Sequence, residues 1–218
     1  MTYFISFRGP VLRSLQLDNE GVLQGVVELF LDKPNNCIPE LRLVIDGFKP
    51  YGEGCYGFVD IFIPPTSSSS GIRITDGVVL ELKYITLDGL LKGEENKMCF
   101  EYADFEKLRK TLSEESSGSL LARRYAYWSK DDGKLVTKTI KEIMNSGREQ
   151  AAKYIKTIAK GKPKNYSESR VLDDRIKIGI GLDTIQGYVI VGIGGSRVIF
   201  DCLDPLDANY EYESRKVY

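Results

Sequence analysis

Two runs of strand-forming residues carry charges where a buried strand has no use for them. Tyr56 to Ile63 reads YGFVDIFI and Gly77 to Ile85 reads GVVLELKYI, both rich in β-branched and aromatic side chains. Successive side chains of a strand alternate between faces. Phe58, Asp60 and Phe62 therefore share one face of the first run, and Val59, Ile61 and Ile63 share the other. Neither face is plainly a wet one, so the aspartate needs compensation. In the second run Glu81 and Lys83 project from one face while Leu80, Leu82 and Tyr84 fill the opposite side. Side chains two residues apart emerge about 6.6 Å from each other, a gap both long side chains can span. Between the runs, Pro64-Pro65-Thr66-Ser67-Ser68-Ser69-Ser70-Gly71 has nothing to bury and is expected to be a mobile connection. If it closes an antiparallel hairpin, Asp60 can face Glu81 with Cβ atoms about 5 Å apart. Adjacent carboxylates on an apolar wall repel, and a hard divalent cation removes the repulsion; oxygen ligands completed by water suit Mg²⁺, or Mn²⁺ in its place. The plainer alternative is an ordinary charge cluster on a partly exposed sheet face.

The composition narrows the chemistry further. The 218 residues include no histidine, which removes Ser-His-Asp triads, Cys-His pairs and histidine zinc sites. Catalysis would have to run on carboxylates, lysine, tyrosine or a bound metal. The cysteines Cys37, Cys55, Cys99 and Cys202 form no CxxC pair and read as buried thiols in a reducing compartment. The N-terminal MTYFISFRGPVLRS lacks the pattern of a secretory signal, and no apolar run approaches the roughly 20 residues of a membrane span. The expectation is an intracellular protein, cytoplasmic or nuclear, with no membrane association. Its length predicts one compact domain, or one domain with a lobe inserted.

Periodicity predicts the element order. A helix starts near Asp18 or Asn19, either able to cap it, with Val22, Val26, Leu29 and Phe30 on one face, and ends before Lys33-Pro34. Leu41 to Phe48 reads as a strand, followed by the two charged strands. From about 92 to 135 the pattern is less regular, with a short helix over Asp104 to Leu112 and a polar break over Ser113 to Ser119. A helical stripe runs from about 137 to 160, weakened at Asn145-Ser146-Gly147. Arg175 to Leu203 reads as three short strands parted at Thr184 to Gly187 and Gly194 to Ser196, and the tail after Asp204 as loose or edge-added. This order is that of an α/β or α+β domain around one sheet.

A formal net charge of −1 hides a division along the chain. Residues 123 to 164 hold twelve Lys or Arg and four acids, a local +8, whereas the remainder is −9. A positive surface beside an acidic body suits a phosphate backbone; a solvated helical face accounts for the same run more plainly. Tyr125, Tyr127 and Trp128 after Arg123-Arg124 could stack bases or simply pack the inserted lobe. Lys160-Gly-Lys-Pro-Lys164 could touch phosphate or be a solvated loop. The glycine-rich GIGLDTIQGYVIVGIGG is followed by another strand rather than a helix, so turn glycines explain it better than a dinucleotide fold.

Gly57-Phe58-Val59-Asp60 followed by Glu81-Leu82-Lys83 resembles the GxxD and ExK strand motifs of the PD-(D/E)XK, or restriction-endonuclease-like, nucleases. Gln150 and Tyr154, at i and i+4, are similar to the QxxxY helix of that family's RecB-like branch, and Glu20 resembles its first-helix acid. Glu28 is a rival for that place. The arrangement looks most like nuclease domains that follow AAA-ATPase-like regions in fungal proteins. The resemblance implies a restriction-endonuclease-like core over residues 1–218, a mixed central sheet flanked by helices, with 92–135 inserted. It also implies a Mg-dependent nuclease, with DNA the expected substrate and an ATPase domain or another protein as a further partner. In that reading Asp60 and Glu81 bind the metal, the Leu82 carbonyl adds a ligand, and Lys83 serves the attacking water. Gln150, Tyr154 and Glu20 support the site, and Arg123, Arg124, Arg148, Lys153 and Lys156 hold nucleic acid. The alternative is an inactive nuclease-fold module that binds nucleic acid or a protein.

Overall fold

In a computed structural model the described residues are 3–5, 19–31, 37–50, 53–65, 76–94, 99–130, 132–159, 170, 171, 173 and 185–203. In chain order they form β1 (Tyr3–Ile5), α1 (Glu20–Phe30), β2 (Ile38–Val44), β3 (Tyr56–Ile63), β4 (Gly77–Ile85), α2 (Leu87–Glu94), α3 (Tyr102–Glu114), α4 (Ser117–Ala122), β5 (Arg124–Ser129), β6 (Lys134–Thr139), α5 (Ile140–Ala159), β7 (Arg170–Val171), β8 (Ile185–Ile193) and β9 (Arg197–Cys202). The fold is α+β, with a mixed central sheet flanked by helices. The sheet has seven strands in the order β1-β9-β8-β4-β3-β2-β7, and β5 and β6 form a separate two-stranded sheet. The chain clusters into two interleaved units, one of residues 1–27, 82–147 and 190–201, the other of residues 28–81, 148–189 and 202–218.

In the unit that contains Asp60 and Glu81, β2 runs antiparallel to β3 from Ile38↔Phe62 to Val44↔Tyr56, and β3 runs antiparallel to β4 through Ile63↔Val78, Phe62↔Val79 and Ile61↔Leu80. Leu41, Leu43, Val59, Ile61, Phe62 and Val79 lose all contact with solvent. β2 ends at Val44, short of the predicted Phe48, because the chain turns there: Ile45 N donates to Cys55 O at 2.8 Å and Phe48 N to Asp46 Oδ1 at 3.1 Å. The last turns of α5 pack close to strand glycines. A Cβ on Gly187 would lie 2.8 Å from Ile155 Cδ1, and one on Gly57 would lie 2.7 Å from Tyr154 Cε1.

The other unit begins α1 with the predicted asparagine: Val22 N donates to Asn19 Oδ1 at 3.0 Å. Its buried face differs from the expected one. Leu23 and Val26 are buried, Leu23 within 3.1 Å of a Cβ built on Gly192, whereas Leu29 and Phe30 are exposed. Residues 92–135, expected to be less regular with one short helix over Asp104 to Leu112, hold the whole of α3 and α4, the end of α2, β5 and the start of β6. Ser116 lies inside the predicted polar break and caps α4, its Oγ accepting from Ser119 N at 3.2 Å. Arg123 donates from Nε to Glu115 Oε2 at 2.6 Å and from Nη1 to Glu94, so one guanidinium joins α2 to the α3–α4 connection. Burial alone would lower the Arg123 pKa, but the hydrogen bond to Glu115 and the charge of Glu94 leave it raised.

Helix α5 runs unbroken through Asn145-Ser146-Gly147. A helical glycine costs about 1 kcal/mol against alanine, an amount that packing of a 20-residue helix readily overrides. Its start is a capping box: Thr139 N donates to Glu142 Oε2 at 2.6 Å and Glu142 N to Thr139 Oγ1 at 3.1 Å. Of the three strands expected over Arg175 to Leu203, β8 and β9 lie among the described residues, with Gly187 inside β8 rather than in a turn. The expected strand from Arg175, most of the serine-rich connection, the 160–164 basic run and the tail after Asp204 lie outside the described residues. Of the cysteines only Cys55 is buried; Cys99 is exposed, and all four are free thiols.

Candidate functional site

Asp60 and Glu81 are delivered by neighbouring antiparallel strands. The ladder Ile63↔Val78, Phe62↔Val79, Ile61↔Leu80 ends one step before them, so Asp60 and Glu81 are the next residues in line on the two strands, and by alternation each has the parity of the paired Phe62 and Val79. Phe62 and Val79, fully buried on that face, form its apolar floor, while Phe58 at the other end of β3 is 46% exposed. Asp60 is half-buried and Glu81 is 0% exposed. A carboxylate taken wholly out of water has to be neutralised by a cation or a proton, or be hydrogen-bonded.

The backbone is irregular beside Asp60. Glu40 of β2 has φ 51°, in the left-handed region that side-chain-bearing residues rarely adopt. It falls between the pairs Pro39↔Ile61 and Leu41↔Val59, in the step of the ladder that Asp60 faces. Glu40 is a third acid on the strands around Asp60 that alternation and motif spacing do not single out. It is exposed, and no group of three or more His, Cys, Asp or Glu among the described residues could hold a metal ion. An ion held by two carboxylates alone would need main-chain oxygen and water to complete its shell.

Lys83 follows Glu81 by two residues on β4, so it has the same parity, and it is half-buried. Leu82, between them, is fully buried with its side chain on the opposite face. Gln150 and Tyr154 do meet, Gln150 Nε2 donating to Tyr154 Oη at 2.8 Å. They meet on the other side of β3 from the carboxylates. Tyr154 packs where a Cβ of Gly57 would point, and Gly57 shares parity with Val59 and Ile61, not with Asp60. Tyr154, 7% exposed, is thus a polar-tipped contact between α5 and the sheet.

Glu20 is the exposed first residue of α1, in the unit that does not contain Asp60. Its rival Glu28 falls in the unit that does, and Glu28's charge adds to burial in raising the Cys37 pKa. The five basic candidates divide. Arg123 is committed to Glu94 and Glu115 with its side chain 11% exposed. Arg148 Nη1 donates to the Cys202 carbonyl at 3.3 Å. Arg124, Lys153 and Lys156 are exposed, the last two at i and i+3 on α5. No helix among the described residues is long and apolar enough to cross a membrane. Comparison of the chain with protein-family models, curated proteins and solved structures gives no match.

Proposed function

We propose that the chain is a restriction-endonuclease-like, metal-dependent nuclease that hydrolyses phosphodiester bonds of nucleic acid, DNA foremost. The observation that supports this is the β3–β4 ladder ending at Ile61↔Leu80, which makes Asp60 and Glu81 the next residues on adjoining strands, with Glu81 completely buried. Asp60 and Glu81 would hold Mg²⁺ or Mn²⁺ from the two strands, with the Leu82 carbonyl as a further oxygen. When bound, such an ion neutralises charge at the scissile phosphate and makes a coordinated water more acidic. Lys83 Nζ, of the same strand parity, would orient the attacking water or balance charge on the phosphate. Water oxygen forms the new bond to phosphorus as the bond to the leaving ester oxygen breaks. Lys153 and Lys156 would lie along the phosphate backbone, and affinity would fall with added salt. Tyr154 and Gln150 take a positioning role in this reading, holding α5 against β3.

The test is to incubate the protein with circular and linear duplex, single-stranded DNA and RNA, with Mg²⁺, Mn²⁺ or chelator. Cleavage that needs the metal, and that drops about a hundred-fold or more in Asp60→Asn, Glu81→Gln and Lys83→Ala proteins of unchanged circular dichroism, is the expected result. Salt-sensitive binding with no cleavage in either metal would overturn it and leave a binding module.

A further inference from the structure

We propose that Arg42 binds a phosphate of the nucleic-acid strand, one beyond the phosphate at the carboxylates, with Tyr56 holding the guanidinium in place for it. The inference rests on the reading above, in which this face of β2, β3 and β4 meets a polyanion. Arg42 stands in mid-strand between Leu41 and Leu43, both wholly buried, and pairs across the ladder with Phe58 of β3. Residues paired across a ladder project from one face, and Phe58 and Asp60 are two residues apart, so Arg42 emerges on the face that carries Asp60. It is the sole Lys or Arg of β2, of β3 and of β4 as far as Glu81. Its guanidinium carbon lies 4.1 Å from the centroid of the Tyr56 ring.

A cation in such a place ordinarily holds an acid, and this one does not. Glu40 stands two residues away on the same strand, yet the guanidinium forms no ion pair or hydrogen bond with it or with any other described residue. Nε is shut off from solvent with no hydrogen-bond partner. A buried donor left unpaired weakens a fold, and the Tyr56 ring supplies attraction but no acceptor for it. Stacking on the ring fixes the plane of the guanidinium and leaves its edge, a fork of N–H donors, which phosphate oxygens match two at a time. That phosphate is not the one at Asp60. Tyr56 is four residues from Asp60 on β3, about 13 Å at about 3.3 Å per residue, and the arginine leans to the Tyr56 end. Phe58 lies between them, 46% exposed, an apolar step for the strand to cross. Glu40, Asp60 and Glu81 on the same three strands repel a polyanion, and an arginine that none of them neutralises gives the backbone a hold on this face.

Binding of labelled oligonucleotides, single-stranded and duplex in turn, is followed by anisotropy across a salt series, in chelator and again with Ca²⁺, with gels confirming that the strands stay whole. Arg42→Gln should weaken binding about 10-fold and lower the slope of log affinity against log salt by about one, the share of a single phosphate contact. Arg42→Lys keeps the charge and loses the fork, so it should keep the slope and bind between the other two proteins. Oligonucleotides carrying one uncharged methylphosphonate link at successive positions locate the contact. One position should weaken binding by the parent, and that loss should vanish in Arg42→Gln while losses elsewhere persist. Circular dichroism and thermal melting check folding; should Arg42→Gln not fold, the same loss is compared between the parent and Arg42→Lys, in which it should shrink. An unchanged salt slope in folded Arg42→Gln, equal methylphosphonate losses in parent and variant, or no binding by the parent in either condition overturns the proposal. Metal-dependent cleavage by the parent with an unchanged slope in Arg42→Gln sinks this inference alone. Arg42-dependent binding without cleavage in Mg²⁺ or Mn²⁺ sinks the hydrolytic reading alone.

Discussion

At Gly57 the absence of a side chain is what lets Tyr154 reach the sheet. Gly57→Ala would put a methyl 2.7 Å from the Tyr154 ring and 2.9 Å from Ile45 Cγ1, closer than packed carbon atoms tolerate. We expect it to lower stability by about 1–3 kcal/mol in urea unfolding. Tyr154→Phe keeps the ring and removes the hydrogen bond from Gln150, at a cost of about 1 kcal/mol. Because Tyr154 lies on the face away from Asp60, the folded Tyr154→Phe protein should cleave as fast as the parent; a large fall in rate per folded molecule would return this tyrosine to the reaction. The glycine and aspartate of GFVD are odd and even positions of one strand, so a motif read as a unit serves two faces. Its Gly57 accepts the helix, and its Asp60 has the parity of Phe62 on the other face.

Between elements, single side chains do much of the joining. Arg123 looks from the sequence like part of a phosphate-binding run, yet its partners are Glu94 and Glu115, and Arg197 closes the same region by donating to Leu112 O at 2.9 Å and Glu115 O at 2.7 Å. Arg123→Ala strands a glutamate that is only 12% exposed, and a loss of about 3 kcal/mol in chemical denaturation is expected. Nucleic-acid affinity of the folded variant should be unchanged. The start of α5 carries a pH signature. Hydrogen bonds from Thr139, backbone first and hydroxyl second, and the charge of Lys138 hold the Glu142 carboxyl below its ordinary range, outweighing a small opposing effect of burial. A depressed folded-state pKa stabilises at pH above the usual glutamate range and ceases to as pH falls through the lowered value. The stability gap between the parent and Glu142→Ala should therefore narrow on acidification from neutral to about pH 2, and a gap that widens would contradict the capping box. The T-I-K-E signal for that box stands in the sequence at 139–142, where the strand-like Lys134 to Thr139 run obscures it.

For the molecule as a whole, the thiols are not what holds it together. All four cysteines are free, so adding reductant should leave the melting temperature unchanged within about 1 °C, whereas removing a native disulfide costs about 2–5 kcal/mol. What the sequence determined by itself was local: β3 and β4 span Tyr56–Ile63 and Gly77–Ile85 as their β-branched and aromatic runs predict, and Asn19 caps α1. Strand alternation and capping depend on neighbours within a few residues, and these are all present in a linear reading. Tertiary structure alone decided that α1 buries Leu23 rather than Leu29, that Arg123 serves two glutamates 29 and 8 residues away, and that α5 continues through Gly147. It also decided that Glu40 takes a left-handed turn beside Asp60 and that Tyr154 packs behind the carboxylates rather than among them. Each of these depends on which surface arrives from far along the chain, and the free energy of that packing outweighs the fraction of a kcal/mol by which local preference chooses.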